Sequence, residues 1–143
     1  MPKMIFISLP VADVVAATIF YEALGFEKNA TFSGAHASSM AWSDAIVVML
    51  LDKAFYATLT SKRMIDARTE SGALLALSRD SRADVDALTE AAIAAGGREL
   101  HGPEDLGFMY SRAFEDLDGH GWGPVFMDMT AAQDAAQRET QGV

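Results

Sequence analysis

The chain has 143 residues, half of them hydrophobic and 22% charged, which is the composition of one ordinary globular domain able to bury a core. A formal net charge of −9 repels phosphate backbones. The densest basic stretch, Lys62-Arg63 to Arg68, is broken by Asp66 and followed by Glu70, so nucleic acid is not an expected partner. Apolar runs such as Ile46–Leu51 are too short to cross a bilayer, and no secretory signal is visible at the N-terminus. With no cysteine there are no disulfides, zinc–thiolate sites or cysteine nucleophiles, and a reducing cytoplasm is the expected setting.

Met4–Val11 reads as a buried strand closed by Pro10. Asp13 is the expected N-cap of a helix carrying Val14, Val15, Thr18, Ile19, Tyr21 and Leu24 at helical spacing, and Gly25 ends it. Phe26 starts an extended segment, and Phe32–Ser39 reads as a polar turn. Ser39–Ser43 and Ala45–Leu51 then predict a hairpin around Ser43-Asp44, with the second strand apolar on both faces and therefore central. From Asp52 to Ser71 the pattern suggests a short helix and a crossing loop.

The order then starts again. Ala73–Ser78 predicts a strand, and Ser81 or Asp84 caps a helix bearing Val85, Leu88, Ala92 and Ile93, which Gly96-Gly97 ends. Arg98–Leu100 reads as a brief strand, His101–Leu106 as a loop, and Phe108–Glu115 as a strand. Leu117–Gly119 is a turn and Trp122–Met129 the last strand. Ala131–Val143 is a frayed helix or a mobile tail.

Strand, helix and three strands occurring twice imply a duplicated unit of roughly 65–70 residues, too long for a solenoid repeat. The expected fold is α+β: two βαβββ repeats forming curled mixed sheets around a central cleft. The single domain spans about 4–129, with repeat one at 4–51, a linker at 52–71, repeat two at 72–129 and a tail at 130–143. A cleft of that kind is the natural place for a small molecule.

Two motifs carry a family resemblance. Leu9-Pro10-Val11-Ala12-Asp13 with Phe20-Tyr21-Glu22-Ala23-Leu24-Gly25-Phe26 resembles the opening of the vicinal oxygen chelate superfamily, which includes glyoxalases, bleomycin resistance proteins and extradiol dioxygenases. Phe114-Glu115-Asp116-Leu117-Asp118-Gly119-His120 resembles its closing turn, with Leu117 where the family usually has proline. The Asp-rich turn reads more simply as a hairpin than as a metal loop. The resemblance implies the duplicated fold, a site in the cleft, and pairing into a homodimer.

Metal-dependent members hold one divalent ion on the first and last strands of each repeat. Carried over by position, those ligands fall on Phe6, near Leu50, near Leu74 and on Gly123. Shifting the middle two by one residue substitutes Met49 or Leu51 and Ala73 or Leu75, none of which coordinates a hard ion. His36, His101 and His120 form neither an i, i+4 helix pair nor an alternating strand pair. No metal and no cofactor are therefore expected. Glyoxalase isomerisation and extradiol cleavage would lack their electrophile.

The residues expected to line the cleft are Phe6, Ser8, Trp42, Met49, Tyr110, Arg112, Trp122 and Gly123. Arg112 suits bidentate binding of a carboxylate or phosphate, or a salt bridge to one of twenty acidic residues. Tyr110 could donate to a carbonyl, and Trp42 and Trp122 either pack in the core or stack on a ligand. Gly123, between Trp122 and Pro124, opens pocket volume or marks a bulge. Three functions remain open: a metal-independent binder of a small apolar or aromatic molecule, a glyoxalase-like lyase or isomerase with a non-standard site, and a non-catalytic structural dimer.

Overall fold

The computed structural model describes residues 3–141; Gly142 and Val143, part of the expected tail, lie outside the described residues. Contacts divide the chain into two compact units. One runs to Gly72 and takes in Asp116–His120; the other comprises Ala73–Glu115 and the chain from Gly121 onward.

In the first unit β1 (Ile5–Val11), α1 (Val14–Ala23), β2 (Glu27–Asn29), β3 (Ala37–Ala41) and β4 (Ile46–Asp52) follow in order. They build a four-stranded mixed sheet in the order β1-β4-β3-β2, with β1 and β4 parallel and the rest antiparallel. The second unit repeats this plan with β5 (Leu74–Arg79), α3 (Arg82–Ala94), β6 (Arg98–Asp105), β7 (Met109–Glu115) and β8 (Gly121–Met127), in the order β5-β8-β7-β6. A short helix α2 (Lys53–Ala57) follows the first sheet and α4 (Met129–Gln141) follows the second. The fold is thus the expected pair of βαβββ repeats.

Local chemistry sets the boundaries. The Asp13 side chain accepts from the Ala16 amide to start α1, and Gly25 takes φ +99° just after it ends, a value that costs a side-chain-bearing residue. Of the two capping candidates for α3, Ser81 does the work, accepting from the Asp84 amide. Core burial follows alternation: Leu9, Val11, Val48, Leu50 and Met40 lie beneath α1 with Phe20 and Tyr21, while Leu77, Phe114 and Trp122 lie beneath α3 with Val85 and Leu88. Each fully buried side chain of this size contributes about 1.5–3 kcal/mol.

Three boundaries differ from the sequence reading. The strand expected at Arg98–Leu100 continues to Asp105, because register shifts between Glu99 and His101 and between His101 and Glu104 absorb the Gly102-Pro103 pair. Proline is tolerated there since β6 is an edge strand whose outer amides need no partner. The Phe32–Ser39 turn is shorter than expected: Ala30–Phe32 forms a 3-10 turn, and β3 begins at Ala37, with Ser33 Oγ accepting from the Ser39 amide. The last strand stops at Met127, and Asp128 then caps α4 by accepting from the Ala131 amide.

Candidate functional site

Helices cover one face of each sheet, so register decides which side chains are left on the other. In the first sheet Phe6 pairs with Val47 and Ser8 with Met49, out of phase with the residues that meet α1. Phe6 is 61% exposed, Ser8 is exposed and Met49 half-buried. In the second sheet Ala76 pairs with Gly123 and Ser78 with Val125, while Ser111 faces Val125 from the other side. Leu74 is 81% exposed at the end of this open face. A Cβ added at Gly123 would meet the Arg112 and Leu75 carbonyls at 3.6 and 4.0 Å, ordinary contact distances, so packing does not demand glycine here.

Four of the eight expected residues, Phe6, Ser8, Met49 and Gly123, therefore sit on open faces. The other four do not. Arg112 lies under α3, 8% exposed, with its guanidinium donating to Asp86 (3.2 Å) and Glu90 (2.8 Å) of that helix and to Glu99 of β6 (2.9 Å). Burial pushes Arg112 down, but the bonds to Glu99, Glu90 and Asp86 outweigh it and the net shift is upward. The salt-bridge alternative is the arrangement observed, with each guanidinium nitrogen bonded to a carboxylate.

Tyr110 shares this side. Its hydroxyl donates to Asp86 at 2.7 Å, and that bond, with desolvation, raises its pKa above the usual phenol value. Arg82 closes the cluster, its guanidinium 5.8 Å from the Tyr110 ring centre and bonded to Asp105. Trp122 is 3% exposed opposite Phe114, and Trp42 rests on Phe26 with ring centres 4.9 Å apart. Both tryptophans pack on the helix-covered side. The Asp86–Glu90 pair at i, i+4 on the polar side of α3 was the available sequence signal that Arg112 had partners there.

The Asp116–His120 turn belongs to the first unit and is latched to the β1–α1 corner. Asp116 is 5% exposed; it accepts from the Tyr21 hydroxyl (2.6 Å) and from the amides of Asp118 and His120 (2.9 Å each). Asp118 accepts from the Ala12 amide, His120 Nε2 donates to the Pro10 carbonyl at 2.7 Å, and Arg68 donates to the Leu117 carbonyl. Burial is the largest influence on Asp116 and pushes its pKa up; the His120 charge, the Tyr21 hydroxyl and the two amides pull it back without cancelling it. Gly119 takes φ +94° and touches the Ala67 backbone, so a Cβ would clash at 2.8 Å. A shallow polar dimple beside the turn is lined by Lys53, Asp66, Arg68, Asp118 and His120.

Neither region resembles a divalent-ion site. Among the described residues no three of His, Cys, Asp and Glu converge so as to hold a metal. Leu50 points beneath α1, fully buried, and its neighbours on the other face of β4 are Met49, half-buried, and Leu51, buried. With Phe6, Leu74 and Gly123 they offer no oxygen or imidazole donor, and the family's divalent ion does not fit these residues. Each histidine has a local structural bond instead: His36 to Asp52, His101 to the Gly102 carbonyl and His120 to the Pro10 carbonyl. Among the described residues no helix is long and apolar enough to cross a membrane.

Solved structures share this architecture. A hypothetical protein from S. aureus superposes with a TM-score of 0.75 at 22% identity, covering 88% of this chain and 94% of that one. A glyoxalase/bleomycin resistance protein/dioxygenase family enzyme from Burkholderia phytofirmans PsJN gives 0.75 at 17% identity, covering 88% and 99%. TnmS3, an antibiotic binding protein from Streptomyces sp. CB03234, gives 0.61 at 25% identity, covering 89% and 97%. No curated protein sequence matches the chain. The model of one family matches residues 3–123, and with the duplicated βαβββ fold this places the chain in the Glyoxalase/Bleomycin resistance protein/Dioxygenase superfamily.

Proposed function

We propose that the protein binds a small apolar or aromatic molecule, without a metal, against an open sheet face. One observation carries the reading: the strands that bear metal ligands elsewhere in the superfamily here present Phe6, Met49, Leu74 and Gly123 on their uncovered faces. That surface removes the electrophile a lyase or isomerase of this family needs and leaves apolar area open to solvent. The antibiotic-binding neighbour supports the same assignment. Tyr110 and Arg112 play no part in it, since both are committed to carboxylates beneath α3.

Homodimerisation belongs to the same proposal. β1 and β5 are edge strands, and Ile5 at 55% and Phe6 at 61% exposure leave the start of β1 apolar and unprotected, as an interface strand would be. The cysteine-free composition supports a cytoplasmic setting. The test is a thermal-shift panel on protein dialysed against chelator, comparing zinc, nickel, manganese and iron(II) with neutral aromatic compounds. Stabilisation by the aromatics alone is expected. Stoichiometric metal binding that raises Tm would overturn the proposal in favour of the lyase reading.

A further inference from the structure

We infer that the outer edge of β1 pairs two copies of the chain: β1 of one protomer runs antiparallel to β1 of its partner, with Phe6 opposite Phe6 of the partner subunit on the two-fold axis. This rests on the dimerisation proposed above. The ladder with β4 fixes which main-chain groups are available. Ile5 pairs in parallel with Ile46, and its amide donates to the Ala45 carbonyl at 2.8 Å. Main-chain groups alternate sides along a strand, so Ile5, Ile7 and Leu9 bond β4 while Met4, Phe6, Ser8 and Pro10 aim theirs outward. Among the described residues no strand meets that side, since β1 ends its sheet. Pro10 has no N–H, and its carbonyl already accepts from His120 Nε2 at 2.7 Å. The open stretch of edge is therefore residues 4–8.

Charge and symmetry select a second copy as the occupant. The chain carries −9, yet residues 3–12 hold no acidic side chain and one lysine. Two copies meet along this edge without the like-charge repulsion that the rest of an acidic chain imposes. The opposite edge of the same sheet, β2, is three residues long and bears Glu27 and Lys28, and the edge strand β6 carries register shifts and Pro103. Such devices keep strands apart. Residues 4–8 of β1 have none of them, and Met4, Ile5 and Phe6 are all exposed there. An axis at Phe6 sets Met4 against the partner subunit's Ser8 and uses every outward donor and acceptor of the stretch. Moving the axis to Ile7 would set Met4 against the partner subunit's Pro10, which offers no donor and an occupied carbonyl. The Phe6 pair across the axis adds its own side-chain contact. The two four-stranded sheets become one of eight strands, and pairing through main chain leaves the face bearing Phe6 and Ser8 free for a ligand.

The test is a disulfide trap, which has no background in a chain without cysteine. Directly opposed residues that exchange both hydrogen bonds have Cα atoms about 5.5 Å apart, a distance a disulfide spans. Phe6→Cys should therefore cross-link into a covalent dimer under mild oxidation, and Leu74→Cys at the start of the edge strand β5 should not. Sedimentation of the wild type should show a dimer. Ser8→Pro removes an outward N–H that β4 does not use, as Pro10 does two residues on. It should weaken association about tenfold, through two symmetry-related hydrogen bonds, and leave the far-UV circular dichroism unchanged. Three results would overturn this pairing while leaving dimerisation standing: a dimer in which Phe6→Cys does not cross-link, cross-linking only when Leu74→Cys is also present, or a folded Ser8→Pro that dimerises as tightly as wild type. The trap decides the pairing even where Ser8→Pro does not fold. A monomeric wild type overturns dimerisation itself, and the thermal-shift panel reads ligand binding independently of both.

Discussion

Replacing Arg112 with methionine tests whether that residue holds the fold or a ligand. The side chain is 8% exposed and its guanidinium bonds Asp86, Glu90 and Glu99. Removing one partner of a fully buried ion pair costs about 3–5 kcal/mol. The three carboxylates here are 46%, 63% and 31% exposed, so water recovers part of that cost. A loss of roughly 2–3 kcal/mol follows, since methionine fills the volume but leaves three carboxylates facing one another. For a chain of this size that is a fall in Tm of about 5–10 °C. Urea unfolding of Arg112→Met, with Glu99→Gln added in a double-mutant cycle, measures it. The second substitution should return part of the loss, because it removes one of the stranded charges. An Arg112→Met protein as stable as wild type but deficient in ligand binding would refute the structural role.

The Asp116 latch and the glycines give further tests. Tyr21→Phe removes a hydroxyl that donates to a buried carboxylate at 2.6 Å and should cost about 1.5–3 kcal/mol near neutral pH. That cost should shrink on acidification as Asp116 protonates. Gly119→Ala should destabilise by more than 2 kcal/mol, combining positive φ with a clash on the Ala67 backbone. Gly25→Ala, with similar φ but nothing within 4 Å, should cost about 1 kcal/mol by the same denaturation assay. In a carbon-detected NMR titration, Asp52 and Asp105 should titrate below the usual value of 3.8, Asp52 through the Phe55 amide and His36, Asp105 through Arg82 and the Gly107 amide. Their contribution to stability is present above 3.8 and disappears as pH falls through their lower pKa values. Asp116 should titrate above 3.8 and carry the opposite sign: its contribution is complete below 3.8 and is lost as pH rises through its raised pKa.

Element types, their order and the duplication were legible in the sequence because they depend on local periodicity and capping. Asp13, Gly25 and Ser81 act through their own backbone and near neighbours, so each announces a boundary without reference to the rest of the chain. The absence of donor side chains at Phe6 and Gly123 was equally plain, since no packing turns phenylalanine or glycine into a metal ligand. Alternation also revealed that Tyr110 and Arg112 share a face with each other. It could not reveal which of the two faces the helix would cover, because both faces of β7 mix polar and apolar side chains. Tertiary structure decided that through Asp86 and Glu90, which draw Arg112 beneath α3 and leave Ser111, Ala113 and Gly123 on the open side. Position along the chain is a local property, whereas the burial of a sheet face depends on what packs against it.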